Sequence, residues 1–111
     1  MTPETAPDVR LALVTGPDEE LRRLGERLVN ERLAACVNVV GGVTSVYRWE
    51  GAVERATESL ALIKTTAGRL DELQARVLSL HPYDEPEFVS VGVDGGSGSY
   101  LRWVAESVSG A

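Results

Sequence analysis

Ser45-Val-Tyr-Arg-Trp-Glu-Gly-Ala-Val-Glu-Arg-Ala-Thr-Glu-Ser-Leu-Ala-Leu-Ile-Lys64 reads as two long strands folded back on a tight turn. On the first arm Val43, Ser45, Tyr47 and Trp49 point one way. Thr44, Val46, Arg48 and Glu50 point the other, because side chains alternate across a strand. Glu50-Gly51 is the expected turn, since Gly tolerates the positive φ of tight hairpins. On the second arm Leu60 and Leu62 alternate with Ser59, Ala61 and Ile63. That arm is apolar on both faces near its end, as a central strand is.

Outward from this hairpin the chain alternates strands and helices. Val9 to Val14 is a short apolar run between Pro7 and Gly16-Pro17 and reads as an interior strand. Pro17 and Asp18 start a helix, with three carboxylates (Asp18, Glu19, Glu20) at the positive end of its dipole. Leu21, Leu24, Leu28 and Val29 then recur at helical spacing, and the isolated Gly25 implies close packing on a sheet. Ala34 to Val40 is a second strand, and Gly41-Gly42 reads as a bulge in it because alternation resumes at Val43. Beyond the hairpin, Leu70, Leu73, Val77 and Leu80 mark another helix, ended by His81-Pro82. A short strand over 87–93 follows. A glycine-rich break then leads to a last helix through Leu101, Val104 and Val108, with Ser97 or Ser99 available as its cap.

The order β-α-β-β-α-β plus a C-terminal helix is the split βαβ, ferredoxin-like pattern of the α+β class. Right-handed crossovers put the two long helices on one face of an antiparallel sheet. Residues 1–8 read as a flexible tail and 9–111 as a single domain. In the usual strand order the second and fourth strands are edges, and a long edge bearing Tyr47 and Trp49 invites pairing with another chain. The uncovered sheet face also carries apolar side chains, so sheets are expected to pack together in an oligomer.

With 111 residues, 43% hydrophobic and 25% charged, the chain is long enough to bury an ordinary core. Its net charge of −6 lacks the basic footprint of a nucleic-acid binder. The polar N-terminus is neither a signal peptide nor a membrane span, so no membrane partner is expected. A lone cysteine, Cys36, excludes an intrachain disulfide and suits a reducing, cytoplasmic setting.

His81 is the only histidine. A lone His after a helix is most often structural. Here Tyr83, Asp84, Glu85 and Glu87 follow within a few residues, held by Pro82 and Pro86, and His81 and Glu87 become candidate donors to a divalent cation. No fixed-spacing zinc motif is present. Cys36 most simply is a small buried hydrophobe; as an exposed thiolate it could ligate copper or zinc. Cys36 and His81 precede opposite edge strands, about 14 Å apart at three strand spacings, so one ion could join them only across a subunit boundary. Tyr47, Trp49, Tyr83 and Trp103 are candidates for core, interface or an aromatic pocket near the His81 loop. Glu58 and Lys64, six residues apart on one strand face, could form a salt link or line that pocket. No nucleophile elbow or phosphate loop is present, and Cys36 and His81 are too far apart for a catalytic pair, so an enzyme is not expected.

Ser45-x-Tyr47-x-Trp49-x-Gly51, Glu58 and Lys64-Thr65 together resemble the central signature of the CutA divalent-cation tolerance family. Leu33-Ala-Ala-Cys-Val-Asn38, His81-Pro-Tyr-Asp-Glu-Pro-Glu87 and Tyr100-Leu-Arg-Trp103 extend the resemblance in the family's order over nearly all the chain after Thr15. The resemblance implies a homotrimer of ferredoxin-like units whose matching aromatic positions gather close to the subunit junction. It implies divalent-metal binding, copper first, at or near subunit interfaces, with no required cofactor and no settled catalytic step. The single cysteine departs from relatives that carry more, which argues against a multi-thiolate copper site. The trimeric ferredoxin-like arrangement is also similar to PII signalling proteins, so a small-ligand sensor or interaction scaffold with incidental metal is the alternative.

Overall fold

A computed structural model describes residues 6–110. Strand β1 (Val9–Gly16), helix α1 (Asp18–Asn30), strands β2 (Cys36–Trp49) and β3 (Ala52–Thr66), helix α2 (Leu70–Leu80), strand β4 (Val89–Gly92) and helix α3 (Gly98–Val108) follow one another, with a 3-10 turn at Ala67–Arg69 leading into α2. The sheet order is β2-β3-β1-β4, and every pairing is antiparallel. This is the expected α+β, ferredoxin-like arrangement, with β3 central and β2 and β4 at the edges.

Alternation decides the faces. Ala12, Val14, Ala61 and Ile63 are buried together with Leu21, Leu24 and Leu28 of α1 and Leu73 and Val77 of α2. Gly25 is buried in α1, and a Cβ there would lie 3.1 Å from a Val37 methyl. The helix–sheet approach accounts for that glycine. Glu31 at the end of α1 accepts a two-pronged bond from Arg76 of α2 at 2.8 and 2.9 Å, tying the helices together.

Helix α3 packs on the other face, at one end only. Its Val104 and Val108 bury Val9 and Ala35 in a second, smaller core. The rest of that face is left open: Val40, Val89 and Val91 are exposed, and Leu11, Leu13, Leu60 and Leu62 are half-buried. Ser97 does occupy the N-cap position of α3, but its hydroxyl meets that of Ser99 at 3.1 Å and caps no backbone N–H.

Strand β3 has 15 residues and β1 only 8. The β2–β3 ladder therefore runs on after β1 stops opposite Ser59, and the molecule is 58 Å long but 25 and 22 Å across. Gly41 and Gly42 together oppose Ser59, with Gly42 at φ +72°, so the glycine pair is the expected bulge. The Ser59 hydroxyl donates to Asp18 Oδ1 at 2.7 Å, and Arg22 holds the other Asp18 oxygen at 2.7 Å. Arg22 and then Ser59 keep the Asp18 carboxyl below its ordinary value. The start of α1 is thus pinned at the point where the sheet bends.

The tip is a two-residue turn with positive φ at Glu50 (48°) and Gly51 (83°), as a type I′ hairpin requires. Glycine suits that conformation and glutamate does not. Replacing Glu50 by Asn is therefore expected to stabilise the hairpin by about 0.5–1 kcal/mol, read as a higher thermal midpoint. A Gly51→Val substitution is expected to lower it.

Candidate functional site

Where β1 ends, the α2–β4 loop crosses the sheet and meets β3. His81 stands at the C-cap of α2, 8% exposed, with its ring against the end of β1. The backbone N–H of Tyr83 donates to His81 Nδ1 at 3.1 Å, which makes Nδ1 an acceptor. Nε2 then carries the proton and donates to the carbonyl of Thr15 at 2.7 Å. Strand β4 pairs with β1 only over Arg10–Leu13, so His81 supplies a partner to a carbonyl just beyond the paired stretch. Gly16 makes room for it: a Cβ there would lie 2.8 Å from Nε2.

The Tyr83 ring packs edge-on against His81, centroids 4.7 Å apart. Its hydroxyl donates to Glu58 Oε1 at 2.9 Å, and the Ser45 hydroxyl donates to Glu58 Oε2 at 2.6 Å. Glu58 is thus the hub of a small polar cluster on the open sheet face. Burial pushes the Tyr83 phenol up to about 12, with the Glu58 carboxylate adding to it and Tyr47 and Glu20 contributing. The cluster unites Glu58, Tyr83 and His81, which the sequence offered as candidates, with Ser45, which it marked only as part of the hairpin signature, and Thr15, which it did not single out. Ser45 carried no sign in the sequence of its bond to Glu58. Its role depends on standing opposite Ala56, diagonal to Glu58.

Other candidates lie elsewhere. Cys36 begins β2 at the far end of the sheet, half-buried and free, its thiol 3.7 Å from Asn38 Oδ1. Lys64 also donates to Asn38 Oδ1, so the expected link to a carboxylate is replaced by an amide neighbour. Glu58, six residues away along the strand, is out of reach. From Cys36 to the His81 ring is two strand spacings across and four residues along, about 16 Å. The separation is close to that expected but is built differently, because His81 packs on β1 and not on the opposite edge. Glu87 is exposed before β4, Tyr47 and Trp49 are exposed near the hairpin tip, and Trp103 is exposed on α3 beside Tyr100, centroids 5.4 Å apart. Among the described residues, no three His, Cys, Asp or Glu side chains converge as a metal cage. An open groove of about 550 Å³ between α1 and β2, lined by Gly25, Val29, Val37 and Val39 among others, is separate from the cluster.

Two outcomes follow from this geometry. The folded phenol of Tyr83 ionises above the ~10 of an unfolded tyrosine, so its stabilising contribution is complete below pH 10 and is lost as pH rises through about 12. An ultraviolet-monitored alkaline titration is expected to show one phenol near 12, absent in Tyr83→Phe and moved down in Glu58→Gln. Gly16→Ala, which drives a methyl into the His81 ring, is expected to cost about 1–3 kcal/mol in a denaturation experiment.

The comparisons with known proteins agree with this architecture. Residues 10–107 match the family described as CutA1 divalent ion tolerance protein. The divalent-cation tolerance protein CutA of Thermus thermophilus is 47% identical over 98 residues, 87% of this chain and 95% of that protein. The chloroplastic CutA of Arabidopsis thaliana is 42% identical over 94% of this chain, which spans 57% of that longer protein. Among solved structures, CutA1 of Oryza sativa superposes with a TM-score of 0.91 at 39% identity, covering 97% of this chain and 100% of that one. A protein titled PII-like protein CutA, from Nostoc sp. PCC 7120, superposes at 0.85 with 33% identity, covering 90% of this chain and 97% of that one. With the match running through every strand and helix from β1 to α3, this chain belongs to the CutA divalent-cation tolerance family.

Proposed function

We propose that the protein acts in divalent-cation tolerance as a homotrimer that takes a divalent metal, copper first, at the subunit junction around Glu58. The observation that carries this reading is the place of Glu58: a partly accessible carboxylate at the centre of a polar cluster, on a sheet face left open. An isolated two-stranded ribbon is marginal in water, and a second copy is the natural cover for its Tyr47 and Trp49 side. One chain offers too few donors, so the metal site is shared between copies. Cys36 and Glu87 enter it only across a boundary, and His81, which already lies beside Tyr83 in the same cluster, must release the Tyr83 N–H from Nδ1 to bind. The single free cysteine supports a cytoplasmic setting.

A second reading is a PII-like small-ligand sensor or scaffold. It is favoured by the His81 ring, both of whose nitrogens are already bonded, and by a cluster of hydroxyl, phenol and carboxylate that suits a polar organic ligand.

Native mass measurement during copper(II) and zinc(II) titration separates the two. The metal reading expects a trimer that saturates at a whole-number ratio, with affinity reduced about tenfold or more in Glu58→Gln. Weak, unsaturable uptake unchanged by Glu58→Gln moves the function to the sensor. Leu62→Glu, on the open face, is expected to dissociate the trimer in sedimentation; an unchanged mass would overturn the packing of sheet on sheet.

A further inference from the structure

The β2–β3 ribbon has a second side that neither the helices nor the proposed trimer contact uses. Thr44, Val46 and Arg48 stand opposite Thr57, Arg55 and Val53, on the face that α1 and α2 cover further along the sheet. All six are exposed, and Val46 (60%) and Val53 (62%) are the most exposed large apolar side chains among the described residues. Five basic residues, Arg32, Arg48, Arg55, Lys64 and Arg102, have no ion pair among the described residues, and two of them lie on this strip. Arg10, Arg22, Arg23, Arg27, Arg69 and Arg76 are each held by a carboxylate. Arg48 and Arg55 have no ion pair among the described residues, although the chain carries a net charge of −6. A strip pairing two bare valines with two unneutralised guanidiniums is complementary to an acidic, partly apolar surface and repels a basic one.

We propose that this side of the hairpin is a docking strip for an extended acidic segment of a partner protein. The geometry supports an extended occupant. Arg48 and Arg55 are diagonal neighbours across the two strands, about 7 Å apart at the backbone. Carboxylates two residues apart on an extended chain have that same spacing, about 6.6 Å, and lie on one side of it. Val46 and Val53 occupy the other diagonal and flank the stretch between the two carboxylates, so they pack against the stems of that segment. The guanidinium forks bind carboxylates two-pronged, and the valines add buried area without loss of side-chain freedom at their stiff χ1. Because the opposite side of the ribbon is assigned to a second copy, the inference rests on that reading for its geometry. Three copies of the strip then surround one axis, and a multivalent partner gains avidity.

The test uses the full-length protein and a labelled peptide of two repeats of Glu-Ser-Glu-Ser-Val-Ser, with the Lys-for-Glu peptide as control, read by fluorescence anisotropy. Binding of the acidic peptide alone is expected, weakening as salt rises. Arg48→Glu/Arg55→Glu is expected to weaken it about tenfold or more and to transfer preference to the Lys peptide. Val46→Ser/Val53→Ser is expected to weaken it with the charge preference kept. Equal binding of both peptides, or no change on charge reversal, overturns the proposal. So does binding of phosphatidylserine vesicles through the same arginines without binding of the peptide, which assigns the strip to a lipid surface. Burial of the Val46 and Val53 methyls in the free assembly, read by solvent relaxation agents in NMR, also overturns it by showing that a second copy covers the strip. The native mass of each variant is measured alongside: a monomeric wild-type protein defeats the assembly reading, whatever the peptide does.

Discussion

The mismatch in length between β3 and β1 is the constraint on which the rest depends. Over Leu60–Lys64, β3 is paired on both sides and lies inside a four-stranded sheet. Over Ala52–Glu58 it has β2 alone. The first stretch has helices against it and a packed interior; the second is a ribbon with two wet faces. The bulge at Gly41-Gly42 and the Asp18–Ser59 bond sit at the joint between them, where the start of α1 meets the sheet. A bulge increases twist and bend, so this joint sets the direction in which the ribbon leaves the body.

The polar cluster occupies the same joint, and for the same reason. The end of β1 exposes a carbonyl that β4 is too short to satisfy, and the imidazole of His81 satisfies it. This fixes Nε2 as the donor and Nδ1 as the acceptor, and it sets Tyr83 over Glu58. The cluster is therefore first a structural closure of the sheet. Its accessible part, the Glu58 carboxylate with its two hydroxyl donors, is what remains for chemistry. Hydrogen bonds from a serine and a phenol orient that carboxylate, a useful property for a cation or for a polar ligand alike.

The two sides of the ribbon differ in chemistry. One side offers Tyr47, Trp49 and the Glu58 cluster, aromatic and acidic, continuous with the uncovered apolar face of the sheet. The other offers arginine and valine. A strand alternates its side chains every residue, so a single hairpin can carry two unlike surfaces without a single extra element.

Much of this was legible in the amino-acid sequence. Alternation in 43–50 and 59–63 placed the hairpin, Glu50-Gly51 its turn, the glycine pair its bulge, and the 3.6-residue periodicity both long helices, because these signals are local and depend only on backbone geometry. The four short motifs carried the family. Ser45, Thr15 and Gly16 were not legible as partners of Glu58 and His81, since each pair is distant in the chain and depends on strand register. Nor was the placement of α3 against Val9 and Ala35, which follows from how the sheet end is left uncovered. The sequence by itself determined the elements, their order and the family, through periodicity and turn chemistry. Only the tertiary structure decided that His81 is held at both nitrogens, that Lys64 meets Asn38, and that Glu58 is the accessible centre, because hydrogen bonds between side chains form only after packing has fixed their distance and direction.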